Sequence, residues 1–413
     1  MPKAPGAKAT TPSRSPRRLD RSDLEHARPV YAVWELTLRC DQACRHCGSR
    51  AGPAREGELS DDQVLDTALQ LVSLGTREVT LIGGEAYLHP QLEDIIRVLH
   101  HGGVRVTMQT GGRRVDVAMC RRLKDAGLAA IGVSIDGLQA VHEQLRAVPG
   151  GFQACLDALD AAREVGMTAT TNTQINQLNM GQLEQLAALF QRHAVRAWQV
   201  QLTVPMGRAA DQPDWIVQPW MMLDIVQRLA DIQRDAVSRE VPFEVFAGNN
   251  IGYFGPHEAI LRSRPGAGAT HWNGCRAGMQ VLGIEADGTV KGCPSLPTAP
   301  YAGGNVKDVA LQDIWDHSEV IHFARDRNLD ELWGHCKTCY YADTCRAGCS
   351  FTAHSTLGRR GNNPFCWYRA DQLKRQGIRE VLQHVEAAPG TPFDFGRFEL
   401  VEQAWPASPE SDS

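Results

Sequence analysis

Three cysteines stand within eight residues at Cys40-Asp-Gln-Ala-Cys44-Arg-His-Cys47, directly after the apolar, β-branched run 31–38. Thiolates this close, at the end of a strand, can close around one metal centre. Four thiolates saturate a [4Fe–4S] cube, whereas three leave one iron with an open coordination position. An open position is where a bound metal does chemistry: catalytic zinc sites keep one free and structural zinc sites do not. A zinc knuckle and a trio of reduced core cysteines are the alternatives. Zinc, however, usually takes four ligands and favours CxxC pairs, and no fourth ligand lies nearby in the sequence.

A second set of cysteines occupies the last third of the chain. Cys275, Gly288 and Cys293 fit Cys-x12-Gly-x4-Cys, followed by Cys336-x2-Cys339-x5-Cys345-x3-Cys349 and by Cys366. Seven thiols with these gaps suit two iron–sulfur cubes better than one or two tetrahedral zinc ions. Of the twelve cysteines only Cys120 and Cys155 stand apart, both on apolar faces of helical stretches, where core packing is expected.

Other polar groups fall where strands should end. Gly83-Gly84-Glu85-Ala86 offers two glycines, which let a backbone approach a ligand closely, and a carboxylate that can take an ammonium group. Ser134 and Asp136, in Val-Ser-Ile-Asp-Gly, can hydrogen-bond ribose hydroxyls or cap the next helix. The turn Gln109-Thr110-Gly111-Gly112 follows the third expected strand, and Arg146 taken alone reads as a solvated surface charge. Asn172, Gln174, Gln199 and Gln201 alternate along two runs and would point into one lumen, as a polar pocket or as internally bonded packing.

The elements that must position these groups alternate regularly. Strands are expected at 31–38, 78–82, 104–108, 130–135, 168–175 and 197–203, with amphipathic helices at 60–74, 90–101, 115–126, 152–165 and 180–193. Ser60 and Gln63 read as a capping box. Glycines at 75, 102, 127 and 166 mark helix ends. Six β/α units give an α/β fold, a partial (β/α)6 TIM-like barrel with a parallel sheet whose ligands bind at the strands' carboxyl ends. The expected boundaries are a disordered basic tail at 1–28, the barrel at 29–215 and a helical connector at 216–268. A small cysteine-rich domain, held by metal more than by a core, follows at 269–370. A helix over 370–387 and a mobile tail complete 371–413.

Composition narrows the function classes. A net charge of −5 over 413 residues gives no footprint for nucleic acid or an anionic membrane. No run of 18 apolar residues appears, so no membrane span is expected. Hydrophobic and charged contents of 43% and 22% are ordinary for a globular protein. Many cysteines without an export signal argue for metal binding in a reducing cytoplasm.

CxxxCxxC after the first strand of an α/β chain resembles the radical S-adenosylmethionine (SAM) enzymes, and the second cysteine set resembles their SPASM extension. The likeness spans about residues 29–370. It departs from the family at His46, where an aromatic is usual, at Ala86 in place of proline in GGEP, and at Gly111 in place of asparagine in Thr-Asn-Gly. An eighth cysteine is also missing near Ala269 and His271. The resemblance implies that Cys40, Cys44 and Cys47 hold a SAM-binding [4Fe–4S] cluster. Gly83, Gly84 and Glu85 would bind the SAM amino group, Ser134 the ribose or carboxylate, and Arg146 the carboxylate, with Asp136 on the substrate side. Cys336, Cys339, Cys345 and Cys366 would ligate one auxiliary [4Fe–4S] cluster. Cys275, Cys293 and Cys349 would hold another, with an open iron or a non-cysteine ligand such as His271. Reductive SAM cleavage would give a 5′-deoxyadenosyl radical that abstracts hydrogen from a substrate, above all a ribosomally made peptide. A separate leader-recognition protein and a flavodoxin or ferredoxin are the implied partners. Small-molecule dehydrogenation or sulfatase-type maturation is the alternative within the family, and a non-enzymatic iron–sulfur electron carrier the alternative outside it.

Overall fold

A computed structural model describes residues 16–17, 19, 21–263, 269–325 and 327–406. The β-branched runs form β1 (Tyr31–Glu35), β2 (Glu78–Ile82), β3 (Arg105–Thr110), β4 (Leu128–Ser134), β5 (Thr168–Ile175) and β6 (Ala197–Leu202). Each lies parallel to the next, in sequence order. The intervening helices follow the predicted spans to within a few residues, and Ser60 and Gln63 make the reciprocal capping box. One strand face packs under the helices. Trp34, Leu81, Met108, Ile131, Val133 and Trp198 are all fully buried against residues such as Leu71, Ile95 and Phe190. Burial of this kind contributes about 1.5–3 kcal/mol per large apolar side chain.

The sheet is larger than six strands. β7 (Glu244–Ala247) joins β6 in parallel from within the stretch read as a helical connector, which also contains the expected long helix at Met222–Ser238. On the other side, β8 (Val281–Ile284) pairs in parallel with β1, and β9 (Thr289–Lys291) and β10 (Gly304–Asn305) extend it antiparallel. The order is therefore β10-β9-β8-β1-β2-β3-β4-β5-β6-β7, with β10 and β7 as edges, so the barrel is open. No helix among the described residues is long and apolar enough to cross a membrane.

Both chain ends differ from expectation. Residues 1–15, 18 and 20 of the expected basic tail, the connector's end at 264–268 and residues 407–413 lie outside the described residues. The remainder of the 1–28 segment is not disordered. Arg21–Glu25 is helical, and Arg17 bonds Glu78 at 2.5 Å and lies 3.6 Å above the Tyr31 ring. At the other end, the helix expected over 370–387 occupies Trp367–Arg375 and stops before Gly377, whose φ of 73° is left-handed. β11 (Ile378–Glu386) then pairs antiparallel with β12 (Arg397–Ala404), a hairpin where a helix and a mobile tail were expected.

Candidate active site and metal centres

The three-cysteine loop leaves the carboxyl end of β1 and is tied down on all sides. The Glu58 carboxylate accepts from Thr37 Oγ1 at 2.9 Å and from the Leu38 and Arg55 amides, each at 2.8 Å. The Cys40 amide donates to the Gly52 carbonyl, and Arg208 reaches in to donate to the carbonyls of Cys44 and Ala51 at 2.7 and 2.8 Å. Burial pushes the Cys40 thiol up to about 12 and Cys44 up to about 11, and the neighbouring loop thiols add to both. Thiols so placed keep their protons until a cation displaces them. A soft, three-thiol set at a strand end, held by backbone that side chains have already satisfied, fits an iron–sulfur cube with one iron unclaimed.

Gly83 and Gly84 follow β2 and lie against the returning backbone of the cysteine loop. A Cβ on Gly83 would stand 2.5 Å from the Thr37 carbonyl, and one on Gly84 would stand 2.6 Å from that of Leu38. The missing side chains make room for the root of the cysteine loop, which accepts from the Gly84 and Glu85 amides at 2.7 and 2.9 Å. Glu85 is buried beneath that loop. It accepts from Thr110 Oγ1 and the Gly111 amide at 2.6 Å each, and from Gln42 Nε2 at 3.0 Å. Burial raises its pKa to about 7 even though Thr110 and Gly111 oppose the shift. One ligand atom each from Glu85, Asp41 and Cys40 lie within 4.8 Å of one another.

His46 and Asp136 take positions that sequence reasoning did not foresee. The Asp136 carboxylate is almost fully buried. It accepts from Arg146 Nε and Nη2 at 2.9 and 2.7 Å, meets His46 Nε2 at 3.0 Å and takes the Gln174 amide at 2.8 Å. Burial alone would raise its pKa, but the Arg146 guanidinium and His46 outweigh that and hold it well below the usual carboxylate range. His46 Nδ1 meets the Leu145 carbonyl at 3.2 Å, so the ring closes a bridge between the cysteine loop and the end of helix Gln139–Arg146. Arg146 Nη1 lies 3.9 Å from Cys44 Sγ. Asp136 thus sits in a network that braces the cysteine loop. Ser134 ends β4 in register with Asn172, which faces Gln199, while Gln174 faces Gln201. These carboxamides line the sheet face opposite the helices. Asn172 Nδ2 donates to Gln109 Oε1, whose amide folds over Gly132.

The seven later cysteines separate into two groups. Burial raises the Cys293 thiol to about 12, with Cys275 and Cys349 next among the causes. Burial also raises Cys345, followed by Cys366, Cys336 and Cys339. The latter four line one cavity together with Tyr253, Phe254 and Tyr368. Four soft thiolates around a shared cavity fit a fully ligated cube. Tyr253 joins the groups: its hydroxyl takes the Cys349 amide at 3.1 Å, and its carbonyl lies 3.8 Å from Cys366 Sγ. His271 is exposed, with Nδ1 bonded to the Trp272 carbonyl at 2.9 Å. Its ring stands 6.1 Å from Phe254, beside the four-cysteine cavity. Cys120 and Cys155 are fully buried in the barrel core.

Residues 34–190 match the family model of the radical SAM superfamily, and residues 275–340 match that of an iron–sulfur cluster-binding domain, SPASM. The chain is 27% identical to the AdoMet-dependent heme synthase of Methanosarcina barkeri over 83% of its own length and 97% of that protein's. It is 28% identical to the mycofactocin maturase MftC of Mycolicibacterium smegmatis, covering 88% and 90% respectively. Among solved structures it resembles anSMEcpe with bound AdoMet at a TM-score of 0.66 and 15% identity, over 83% of this chain and 95% of that one. It also resembles Streptococcus suis SuiB bound to its precursor peptide SuiA at 0.61 and 15% identity, over 83% and 75%. The two family models together cover more than half the residues and include the first cysteine set and Cys275, Cys293, Cys336 and Cys339 of the second. The chain belongs to the radical SAM superfamily of enzymes and carries a SPASM domain.

Proposed function

We propose that this enzyme binds SAM at Cys40, Cys44 and Cys47 and modifies a side chain or backbone carbon of a ribosomally made peptide. The observation that carries the SAM site is the cysteine loop resting on Gly83, Gly84 and Glu85, with the Cys40 thiol and the Asp41 and Glu85 carboxylates facing one place. When bound there, a three-thiol [4Fe–4S] cluster supplies the electron that cleaves SAM and so the radical that abstracts hydrogen. The chain's own residues position and enclose. Gly83–Glu85 hold the amino end of SAM and Ser134 its ribose or carboxylate, while Asp136 and Arg146 fix Cys44 and wall the site. Cys336, Cys339, Cys345 and Cys366 would hold one auxiliary cluster and Cys275, Cys293 and Cys349 another; such clusters would accept an electron from the substrate radical or hold the substrate, and a flavodoxin or ferredoxin would be the reductant.

A peptide is favoured by the carboxamides of Gln109, Asn172, Gln174, Gln199 and Gln201 on the inner face. Carboxamides pair with peptide groups as both donor and acceptor. The likeness to the mycofactocin maturase agrees. A small-molecule substrate of tetrapyrrole type is the second reading, supported by the heme synthase relative that the chain matches across 97% of its length.

Anaerobic reconstitution with iron and sulfide tests this function. The expected result is about 12 Fe per chain, and 5′-deoxyadenosine on adding SAM and a reductant. A precursor peptide, with or without a leader-recognition protein, should then change mass while an iron porphyrinogen-derived substrate does not. Iron without SAM cleavage would instead indicate an electron carrier.

Gln42 yields a second expectation. A Cβ at Gly111 would fall inside the Gln42 carboxamide, so Gln42 stands where the family's asparagine would project. Gly111→Asn should push Gln42 off Glu85 and weaken SAM binding several-fold. In Gln42→Ala/Gly111→Asn the new amide has room, and the loss should be partly restored. Coupling between neighbours of this kind is typically about 0.5–3 kcal/mol. Additive effects on the SAM dissociation constant would refute the pairing.

A further inference from the structure

Arg327 is 4% exposed, yet its Nε and Nη2 are buried without a hydrogen-bond partner. Its Nη1 donates to Ser350 Oγ at 3.3 Å, next in sequence to Cys349. Its carbonyl accepts from Arg346 Nη1 at 2.8 Å, next to Cys345. The arginine is therefore pinned between the two groups of later cysteines. The nearest carboxylate, Glu331, stands 3.7 Å from Nε, beyond hydrogen-bond reach, and is shared with Arg360 at 3.4 Å. Burial lowers the Arg327 pKa, and Cys275, Glu331 and Cys345 act in the opposite direction. A buried guanidinium that lacks a partner on one edge is costly, and its natural complement is an anion. An iron–sulfur cube carried by three or four thiolates is a net anion, with sulfurs that accept hydrogen bonds.

We propose that Arg327 is the buried counter-ion and N–H donor of the auxiliary cluster ligated by Cys275, Cys293 and Cys349, and that it raises that cluster's reduction potential. This rests on the reading that those cysteines hold a cluster. Reduction adds one negative charge to the cube, and a fixed cation beside it stabilises the reduced form more than the oxidised form. The potential of a cluster is set by its net charge, the hydrogen bonds to its sulfurs and its exposure, and Arg327 supplies the first two without adding water. Lysine would keep the charge but lose the planar fork of donors.

The test is a potentiometric titration of the reconstituted full-length protein, followed by electron paramagnetic resonance, with iron content measured in parallel. In Arg327→Met one auxiliary signal should move to more negative potential by at least a tenfold change in the reduction equilibrium, 59 mV for one electron. In Arg327→Lys the same signal should move less. The SAM-binding cluster, recognised by its response to added SAM, should stay in place in both. Full iron with unmoved auxiliary signals in Arg327→Met overturns the proposal, as does an equal shift in Arg327→Lys. Should Arg327→Met lose iron, Glu331→Gln takes its place. Removing the competing carboxylate should move that signal to more positive potential, and an unmoved or more negative signal overturns the proposal. Wild-type protein without any auxiliary signal would sink the cluster reading itself, a result distinct from all of these.

Discussion

Cys40→Ala is expected to form no 5′-deoxyadenosine while retaining about 8 of about 12 Fe per chain. Cys40 lies beside Glu85 and Asp41, and its thiol takes the Gln42 amide at 3.4 Å, at the centre of the loop that Glu58 and Arg208 hold in place. Two remaining thiols cannot retain a cube that needs three. Cys120→Ala is the matched control. That thiol is fully buried, where Cys40 is only partly so, and packs in the helix layer of the barrel core, so its loss should lower stability modestly and leave both iron and SAM cleavage intact. SAM cleavage by Cys40→Ala would show that the reagent binds elsewhere.

The second large effect is expected at Asp136. Asparagine there keeps the shape but removes the charge that two buried partners, Arg146 and His46, share. Removing one partner of a buried ionic network typically costs about 3–5 kcal/mol, because the other charge is left without compensation. Asp136→Asn should therefore lower the free energy of unfolding by that amount, read from denaturant titration, and loosen Cys44, so that iron at the first cysteine set falls as well. The pH dependence follows from the direction of the shift. Folding lowers the Asp136 pKa, so its contribution is complete above the unfolded carboxylate value of about 3.9 and is lost only as pH falls through the folded value. The difference between wild type and variant should thus be the same at pH 6 and pH 8. A loss under about 1 kcal/mol would mean that the network adds little beyond packing.

Elements with a local signal were recoverable from the residues alone. The six strands and their helices announce themselves through period and caps, as with Ser60–Gln63, and the cysteines declare their two sets by spacing. Contacts made across long sequence distances were not. His46 reads as a mere departure from an aromatic, because its partners lie 90 and 99 residues away. That Gly83 and Gly84 also make room for the loop at 37–39 was not legible, because nothing local shows that the loop returns against them. The stretch 378–386 has helix-compatible composition, and only its pairing with 397–404 makes it a strand. β7 is four residues long and owes its place to β6.

The pairing of β8 with β1 has a consequence for how the halves of the enzyme can be handled. Tyr31 through Trp34 match Val281 through Ile284 one for one, so the cysteine-rich half contributes a rib to the very layer from which the three-cysteine loop springs. Severing the chain ahead of that half would strip β1 of its neighbour and bare an adhesive rim of amide and carbonyl groups. The two halves are thus stitched together by a shared sheet at that seam.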